Sequence, residues 1–443
     1  MNAAGQRKIR RCLGPEQNEW RSRSDALGQG RQPVVIRALV QQHPVEAELS
    51  RSEQNCMIID AADEFLAGCL RAALGDQPVP AWPASLASPE DYDVLARRTR
   101  FHGIAVVLGQ APGVLASWPG QVAEAVRSEM RLAGLWEELH RNTISGILSS
   151  LAEGGIETIL LKGTALAYLY YEDPAARRRG DTDLLIRPQH LARARSILAS
   201  AGCFRREDPH GLHCQETWLV DCGAGMEHSI DLHWEPSDRP VLQKILDAER
   251  IWQGRAPVTR LSPHAFAPDP LMMLVHGAIN QAWHVARGYG VEDERITGGR
   301  RLIWAVDYRK LTSGFDESQW QSLAAFCETH DAAAIVHAAL DGAQRDLGLY
   351  VPAELMARLR AAAPGSPALA YIAKPGVVQD FWRDFRATRR MKTRVEMIRT
   401  MAFAPRSHLL KKYPHCAHWP TSLLQLRRYG EALMRWNKPE RTP

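Results

Sequence analysis

The segment RRRGDTDLLIRP, residues 177–188, constrains the chain more than any other stretch. Asp181 and Asp183 stand one residue apart, directly before apolar residues that predict a buried strand. Side chains of an extended segment alternate, so both carboxylates point to the same side of it. Two like charges held this close repel each other, and burial strengthens the repulsion. Because a bound cation removes this conflict, the segment predicts a metal-binding strand.

Two more predicted strands carry polar residues on either side of this segment in the chain. TILLKG, residues 158–163, predicts a short buried strand that ends at glycine, and ALAYLYY after it predicts a helix. MEHSIDLHW, residues 226–234, predicts a third strand whose Asp231 faces away from the apolar side chains. If the three strands share one sheet, Asp231 joins the two aspartates of the GDTD segment at one edge.

The predicted turn from strand to helix after TILL offers a site for an anion. At Lys162, Gly163 and Thr164, free backbone N–H groups and the positive end of a helix can face a ligand. Lys162 adds a point charge and Thr164 adds a hydroxyl donor. The arginines of RRRGDTD, of which Arg179 is closest to the carboxylates, are able to bind phosphate oxygens. The combination predicts a triphosphate site beside a divalent cation.

Size and composition predict an ordinary globular protein with more than one compact unit. The chain has 443 residues, of which 45% are hydrophobic and 24% are charged, unlike a collagen, a coiled coil or a disordered chain. The longest apolar runs, such as LMMLV, fall far short of the roughly 18 residues that a membrane span needs. Polar and glycine-rich residues follow the basic RKIRR where a secretory signal needs an apolar stretch. We therefore expect a cytoplasmic protein without a membrane span.

The eight cysteines are scattered along the chain without a CxxC pair, which argues against a disulfide framework. The tightest group that they form with histidines is Cys203, His210, His213, Cys214 and Cys222. Its spacing matches no standard zinc pattern. We therefore expect buried thiols here in preference to a structural zinc site.

Hydrophobic periodicity divides the chain into helical regions around one small α/β unit. Helical spacing starts at Met57, and the polar residues before it show little periodicity. A translation start at Met57 in place of Met1 fits the same pattern. The predicted units are a poorly ordered arm at 1–56, an N-terminal helical region at 57–154, an α/β core at 155–260, a helical domain at 261–370 and a basic C-terminal segment at 371–443.

Positive charge is concentrated near the C-terminus, although the net charge is only +5. Residues 381–412 hold ten Lys or Arg residues against two acidic ones. Such a face can meet phosphates, nucleic acid or an acidic partner, and it is also typical of a solvated helical surface. Nucleic-acid binding through this segment predicts a steep salt dependence of affinity.

The order LLKGTALA, RRRGDTDLLI and IDLHW resembles the uncharacterised nucleotidyltransferase family of the DNA polymerase β-like nucleotidyltransferase superfamily. The resemblance extends from about Met57 to Gly430, and these motifs carry its functional content. It implies an α+β fold in which a small mixed-sheet palm is flanked by N-terminal and C-terminal helical regions. The sequence departs from the family pattern in having Thr where serine is usual and a longer gap from Gly163 to Asp181.

The resemblance implies a transferase that moves a nucleoside monophosphate group from an NTP, such as ATP, to an acceptor and releases pyrophosphate. The implied acceptor is a sugar, a small molecule, a peptide or a protein, and nucleic acid is not favoured. The implied catalytic residues, which also bind Mg²⁺ or Mn²⁺, are Asp181, Asp183 and Asp231. The implied nucleotide-binding residues are Lys162, Gly163, Thr164 and Arg179.

Alternatives remain open at several positions. A catalytically inactive nucleotide-binding or scaffold protein would have the same fold. His233 either orients a substrate, acts as a base or is structural. Glu227 takes the part of Asp231 if the strand register is shifted. Three side chains on later helices either line a cleft opposite the palm or belong to the core or surface: His276, His284 and Asp307.

Overall fold

The computed structural model describes most of the chain, namely residues 45–75, 77–206, 214–223, 225–291, 294–296, 299–373, 376–388 and 391–436. Within these ranges the first helices are α1 (Val45–Ala73), α2 (Pro89–His102), α3 (Ala105–Gly109), α4 (Pro112–Ala116) and α5 (Gly120–Glu153). The mixed region follows with β1 (Thr158–Leu160), α6 (Lys162–Tyr170), β2 (Asp181–Leu185), α7 (Leu191–Ser200), β3 (Phe204–Arg205), β4 (Gln215–Gly223), β5 (Met226–His233), α8 (Pro240–Gln243), α9 (Ala248–Gln253), β6 (Ala256–Pro257) and β7 (Ala265–Ala267).

The remaining elements are mainly helical. They are α10 (Pro270–Arg287), the hairpin β8 (Tyr289–Val291) and β9 (Glu294–Ile296), α11 (Leu302–Thr312), α12 (Glu317–Thr329), α13 (Ala333–Leu347), α14 (Ala353–Ala362), α15 (Pro367–Ala373), α16 (Val377–Ala387), α17 (Met391–Ala402), α18 (Arg406–Lys412) and α19 (Thr421–Trp436). Among the described helices, none combines the length and the apolar character that crossing a bilayer requires.

The first helix starts earlier than the sequence predicts. α1 begins at Val45, so Met57 lies inside the helix and not at its beginning. The predicted arm at 1–56 therefore overlaps α1 in its last part, where VEAELSRSEQ is rich in the good helix formers Glu, Ala and Leu. Residues 1–44 of the predicted arm lie outside the described residues.

The helix boundaries follow ordinary capping chemistry. Ser88 precedes α2, and its hydroxyl accepts from the backbone N–H of Asp91 while the Asp91 carboxylate accepts from the Ser88 N–H at 2.9 Å. This reciprocal pair is a capping box, and it satisfies two N–H groups that the first turn leaves free. The helix ends at Gly103, whose φ of 69° is the left-handed conformation that glycine adopts easily.

A seven-stranded mixed sheet forms the centre of the molecule, in the order β3-β4-β5-β2-β1-β7-β6. β2 runs parallel to β5 and antiparallel to β1, and β4 runs antiparallel to β5. Helices precede and follow the sheet in the chain, which confirms the predicted α+β palm with helical flanks. We call the face of β2 that carries Asp181 and Asp183 the front face, and the face that carries Thr182 the back face.

One hydrophobic core serves the helices and the sheet together. A continuous cluster of buried residues extends from α1 through the sheet to α15, so the predicted boundaries at 154 and 260 do not separate two cores. The C-terminal helices form a smaller cluster of their own, which contains Ala404, Leu409, Tyr413, Cys416 and Leu424. Helices that precede and follow the palm in the chain therefore share one hydrophobic core with it.

A buried polar network holds β2 from the back face. Arg179 Nη2 donates to Glu137 Oε1 and to His140 Nδ1, each at 3.0 Å. His140 Nε2 lies 2.8 Å from Thr182 Oγ1, and His228 Nε2 lies 2.9 Å from the same hydroxyl. Because a guanidinium can only donate, His140 Nδ1 is the acceptor and its proton sits on Nε2, which donates to Thr182. The network fixes the middle residue of DTD and so presents its two neighbours on the front face.

Both histidines of this network are neutral in the folded protein. Burial lowers the pKa of His140 to about 4, with the Arg179 charge acting in the same direction against the partial compensation of Glu137. Burial and the neighbouring His140 lower the pKa of His228 to about 3. The free energy of folding is therefore linked to pH through these two groups, because they take up protons more readily in the unfolded chain.

We expect His228→Gln to reduce the acid sensitivity of the fold. A histidine whose folded pKa is depressed contributes stability that is fully present above the ordinary value of about 6.5 and is lost as the pH falls toward the folded pKa. Urea unfolding followed by circular dichroism at pH 7.5 and pH 5 should show a smaller loss in this variant than in the parent. The control is the exposed His415 changed to Gln, which should lose as much stability between pH 7.5 and pH 5 as the parent does. An undiminished loss in His228→Gln would contradict the linkage.

Candidate active site

Aspartates from neighbouring parallel strands meet on the front face. In the register of β2 and β5, Asp183 lies directly opposite Asp231, and Asp181 lies opposite Ser229. The ligand atoms of Asp183, Asp231 and His233 all lie within 4.8 Å of one another. Within the described part of the chain, this is the group of His, Cys, Asp or Glu side chains whose geometry could hold a metal ion. The compact group thus contains two of the three predicted aspartates, with His233 in addition.

Asp183 is the most heavily contacted member of the group. Lys162 Nζ donates to its Oδ1 at 2.5 Å, and His233 Nε2 donates to the same oxygen at 2.9 Å. Burial works to raise the pKa of Asp183, but the Lys162 charge and the hydrogen bond from His233 hold it well below its usual range. The pKa of Lys162 is raised despite burial, because Asp183, Asp181 and Asp231 all favour its charged form. Asp183 is therefore an ionised carboxylate that is already paired with the Lys162 ammonium.

The backbone at Lys162 is unusual. Its φ of 50° lies in the left-handed region, which costs a residue with a Cβ about 1 kcal/mol or more. Lys162 is also the first residue of α6, and Leu161 before it provides no side-chain cap. The N–H groups of the first turn consequently have no capping side chain, and the positive end of the helix lies beside the carboxylates. Strained backbone of this kind is concentrated at functional sites.

The other two aspartates carry the electrostatic conflict that the sequence predicts. Burial and the charge of Asp183 raise the pKa of Asp231, although Thr217 Oγ1 donates to its Oδ1 at 2.7 Å. Asp181 is exposed to solvent but lies in a recess of surrounding protein, and this burial together with Asp183 raises its pKa to about 7. Three carboxylates share one lysine. The front face consequently favours a further cation.

A cleft opens beside Lys162, between the start of α6 and the helices α10 and α11. Its volume is about 30 Å³, room for only a few water molecules. We call it the side cleft. Its lining residues are Lys162, Gly163, Leu166, Arg177, Met273, Gly277, Asn280, Trp304, Asp307, Tyr308 and Leu311. Lys162 both lines the side cleft and contacts Asp183, so its side chain lies between the cleft and the aspartates.

Two residues of the predicted nucleotide-binding set do not face the aspartates. Thr164 is buried and its hydroxyl lies 3.3 Å from Thr182 Oγ1, on the back face. Arg179 is buried too, and its Nε donates to Thr164 Oγ1 at 3.2 Å while its other nitrogens hold the back-face network. Both side chains are therefore turned to the back face, where α5 supplies the carboxylate of Glu137 as a partner for the arginine, and their part in nucleotide binding stays a prediction.

An ion pair connects the palm with the helices beyond it. Arg177 Nε donates to Asp307 Oδ1 at 2.7 Å and to Oδ2 at 2.9 Å, and Tyr171 OH donates to the same carboxylate at 2.7 Å. All three side chains are buried. Asp307, for which a cleft and a core position both remained open, belongs to both, since it also lines the side cleft.

The remaining candidates divide according to their helix or strand position. His276 of α10 is buried, and burial together with the charge of Lys162 lowers its pKa to about 3. The same two causes lower the pKa of His284, so the electrostatic field of Lys162 reaches both histidines. Glu227 is exposed and lies opposite Asp221 in the register of β4 and β5. Asp231 is therefore the acid of β5 that lies beside Asp183.

Sequence analysis missed the contribution of β4. Thr217 lies opposite Asp231 in the antiparallel register and donates to it, and Gln215 Nε2 lies 3.5 Å from the other carboxylate oxygen. The alternation of QETWLVDCG was the available signal. Of the Cys and His residues weighed for zinc, His210 and His213 lie outside the described residues. Cys203, Cys214 and Cys222 are free thiols.

The mixed sheet, with paired aspartates on β2 and an acid on parallel β5, fits a transferase of phosphorus-containing groups. A family model described as uncharacterised nucleotidyltransferase matches residues 88–348, more than half of the chain. The chain therefore belongs to this nucleotidyltransferase family, which confirms the resemblance over a shorter range than the motifs indicated. No curated protein matches the chain.

Removal of the Lys162 charge is expected to destabilise the fold. Loss of one partner of a buried pair typically costs about 3–5 kcal/mol. Because the Lys162 side chain keeps 26% exposure, we expect about 2–3 kcal/mol for Lys162→Met in urea unfolding at pH 7.5. The double variant Lys162→Met/Asp183→Asn is the matched control, and it should recover at least half of this loss because the uncompensated charge is gone. Equal losses in the two variants would show that the ion pair is not responsible.

Proposed function

We propose that the protein is a metal-dependent nucleotidyltransferase that moves a nucleoside monophosphate group from an NTP to an acceptor and releases pyrophosphate. The observation that carries this proposal is the side-by-side position of Asp183 and Asp231 on parallel strands, next to the uncapped start of α6. We further propose a cytoplasmic location and a sugar, a small molecule, a peptide or a protein as the acceptor.

The front-face side chains fit a hard divalent cation. Carboxylate oxygens are the ligands that Mg²⁺ and Mn²⁺ prefer, and we propose that Asp181, Asp183 and Asp231 supply them. The raised pKa values of Asp181 and Asp231 express a repulsion that a cation relieves. When bound, such ions lower the pKa of an acceptor hydroxyl and neutralise charge on the leaving pyrophosphate. We assign His233 to orient Asp183, because its Nε2 already donates there.

Phosphate binding is assigned to Lys162, Gly163 and the first N–H groups of α6. A Cβ on Gly163 would make ordinary contacts with Arg179 Cβ at 3.4 Å and with Arg177 Nη1 at 3.5 Å, so this assignment rests on the N–H groups of the turn and not on the space beside the glycine. Lys162 Nζ donates to Asp183 in the structure. In the proposed complex its ammonium group would contact the entering triphosphate instead. We assign Thr164 and Arg179 to the support of β2, which narrows the nucleotide-binding set expected from the sequence.

The proposed reaction is an in-line displacement at the α-phosphorus. The acceptor oxygen forms a bond to this phosphorus, and the bond to the bridging oxygen of pyrophosphate breaks. We assign the Asp231 carboxylate, which lies beside Asp183 on the front face, to take the proton of the acceptor hydroxyl. The remaining contribution of the protein is alignment and charge neutralisation, which account for most of the catalysis in phosphoryl transfer.

Replacement of Asp183 by Asn should abolish transfer with an intact fold. The substitution removes the charge at the centre of the group, and we expect at least a roughly 10³-fold loss of label transfer from [α-³²P]NTP. Cell extract serves as the source of acceptor, with labelled products resolved by mass spectrometry. The exposed Asp221 of β4, changed to Asn, is the matched control and should keep parent activity. Transfer retained in Asp183→Asn would contradict the assignment.

Divalent cations should stabilise the folded protein through the same carboxylates. A ligand at 100 times its dissociation constant adds about 2.7 kcal/mol, so Mn²⁺ or Mg²⁺ should raise the melting temperature of the parent after treatment with EDTA. Asp183→Asn/Asp231→Asn should lose most of this shift, whereas Asp221→Asn should keep it. A shift that is equal in all three proteins would place the cation elsewhere.

An inactive nucleotide-binding protein is the second candidate, and the contact between Lys162 and Asp183 is the observation that favours it. The Lys162 ammonium lies 2.5 Å from the Asp183 carboxylate and neutralises it. A protein that binds no metal would require such a neutralising partner. Isothermal titration with ATP in the presence and absence of Mg²⁺ separates the two candidates. Binding that needs no metal, together with absent transfer, identifies the second one.

A further inference from the structure

We infer that α17 binds an anionic membrane surface, with a stripe of apolar side chains at the boundary of headgroups and acyl chains and with basic residues against the lipid phosphates. The inference goes beyond the proposed function, because it concerns where the protein is held and uses no residue of the front face. With 12 residues, α17 is much shorter than the roughly 20 residues that cross a bilayer. It would therefore lie in the plane of the surface.

α17 exposes large apolar side chains along most of its length. Met391, Val395 and Ile398 follow one another at helical spacing and are 66%, 60% and 52% exposed. Because residues three and four apart lie on one face of a helix, the three side chains form a continuous strip, which we call the apolar stripe. Single exposed apolar residues are ordinary, but a contiguous strip with charged neighbours indicates a contact surface.

The attachment of α17 to the rest of the protein uses other residues. Met397, on a different face, is buried, and Thr388 Oγ1 donates to its Sδ at 3.4 Å. Arg394 Nε donates to the backbone oxygen of Thr388 at 2.9 Å, and its guanidinium lies 5.3 Å from the centre of the Phe385 ring. The helix is therefore fixed to the end of α16 while the apolar stripe remains exposed.

Basic residues accompany the apolar stripe. Lys392 and Arg399 are exposed, and helical geometry places both on the same flank of the stripe. Glu396, the acidic residue of α17, lies farther from the stripe than they do. Each basic residue near an anionic bilayer strengthens binding by about fivefold. Three more exposed basic residues follow in α18, namely Arg406, Lys411 and Lys412.

An exposed tryptophan lies near the same helix. Trp382 of α16 is 49% exposed, and the centre of its ring lies 5.7 Å from that of Phe385. Phe385 in turn contacts Arg394 of α17. Tryptophan is enriched where a membrane meets water, because its ring is apolar and its N–H is polar. Trp382 therefore adds an interfacial side chain close to α17.

The apolar stripe and its charges together favour a lipid surface over a nucleic acid or a second copy of the chain. A nucleic acid would neutralise Lys392 and Arg399, but Met, Val and Ile side chains lack the ring that stacks on a base. A second copy would cover the stripe and bring like charges together. An anionic bilayer offers acyl chains to the stripe and phosphates to its flank.

The test is sedimentation of the full chain with vesicles. Vesicles of phosphatidylglycerol and phosphatidylcholine in equal parts should bind the parent about tenfold more tightly than vesicles of phosphatidylcholine alone, and added salt should weaken the binding. Val395→Ser/Ile398→Ser should lose about tenfold in affinity for the mixed vesicles, because it removes apolar surface. Lys392→Gln/Arg399→Gln should lose most of the preference for the anionic lipid.

The matched control lies on α5, where Leu132 and Leu135 are exposed with the same spacing. Leu132→Ser/Leu135→Ser should bind the mixed vesicles as the parent does. Affinity that is unchanged in Val395→Ser/Ile398→Ser, or lowered equally in the two serine variants, would overturn the inference. Absence of parent binding to the mixed vesicles would overturn it as well.

Two further outcomes would overturn the inference in favour of another occupant. A parent dimer in sedimentation velocity that Val395→Ser/Ile398→Ser dissociates would identify the stripe as a contact between copies. Binding of single-stranded RNA or duplex DNA that Lys392→Gln/Arg399→Gln loses, without vesicle binding by the parent, would identify a nucleic-acid surface. The label-transfer assay without vesicles tests the proposed function separately, since none of these variants changes the front face.

Discussion

Repulsion among three carboxylates on one face of a sheet is the constraint on which the rest of this structure depends. Asp183 and Asp231 lie opposite each other on parallel strands, and Asp181 stands two residues before Asp183. The fold tolerates them because Lys162 reaches Asp183 from a strained backbone position at the start of α6. One ammonium does not balance three acids, so the folded chain keeps an unmet demand for positive charge. That demand, more than any single hydrogen bond, gives the front face its chemical character.

The alternation of side chains explains why part of the site could be predicted from the sequence. Period two alone places Asp181 with Asp183 and separates Asp231 from the apolar residues of its strand. The pairing of β2 with β5 is parallel and joins segments far apart in the chain. The sequence of neither strand indicates which strand lies next to it in the sheet. The polar support from Thr217 was missed for the same reason, because it depends on the antiparallel partner that β5 accepts.

The direction of the Thr164 and Arg179 side chains has a different physical origin. Local turn chemistry correctly predicts free N–H groups and a hydroxyl at the start of α6, but a side chain's direction depends on what packs behind it. α5 brings Glu137 to the back of β2, and a buried carboxylate must be paired. Arg179 donates to the Glu137 carboxylate at 3.0 Å, and it also donates to the hydroxyl of Thr164. The residue nearest to a motif in sequence can therefore serve the opposite face of the sheet.

The two faces of β2 have complementary energetic roles. The back face is closed, since arginine, glutamate, histidine and threonine are hydrogen-bonded to one another and buried there. The front face is open, since Asp181 and Asp231 have raised pKa values and share one lysine with Asp183. A rigid support on one side is what allows an unsatisfied charge arrangement to persist on the other. A ligand that brings a cation to the aspartates and phosphates to Lys162 would complete the front face in the same way that Arg179 completes the back.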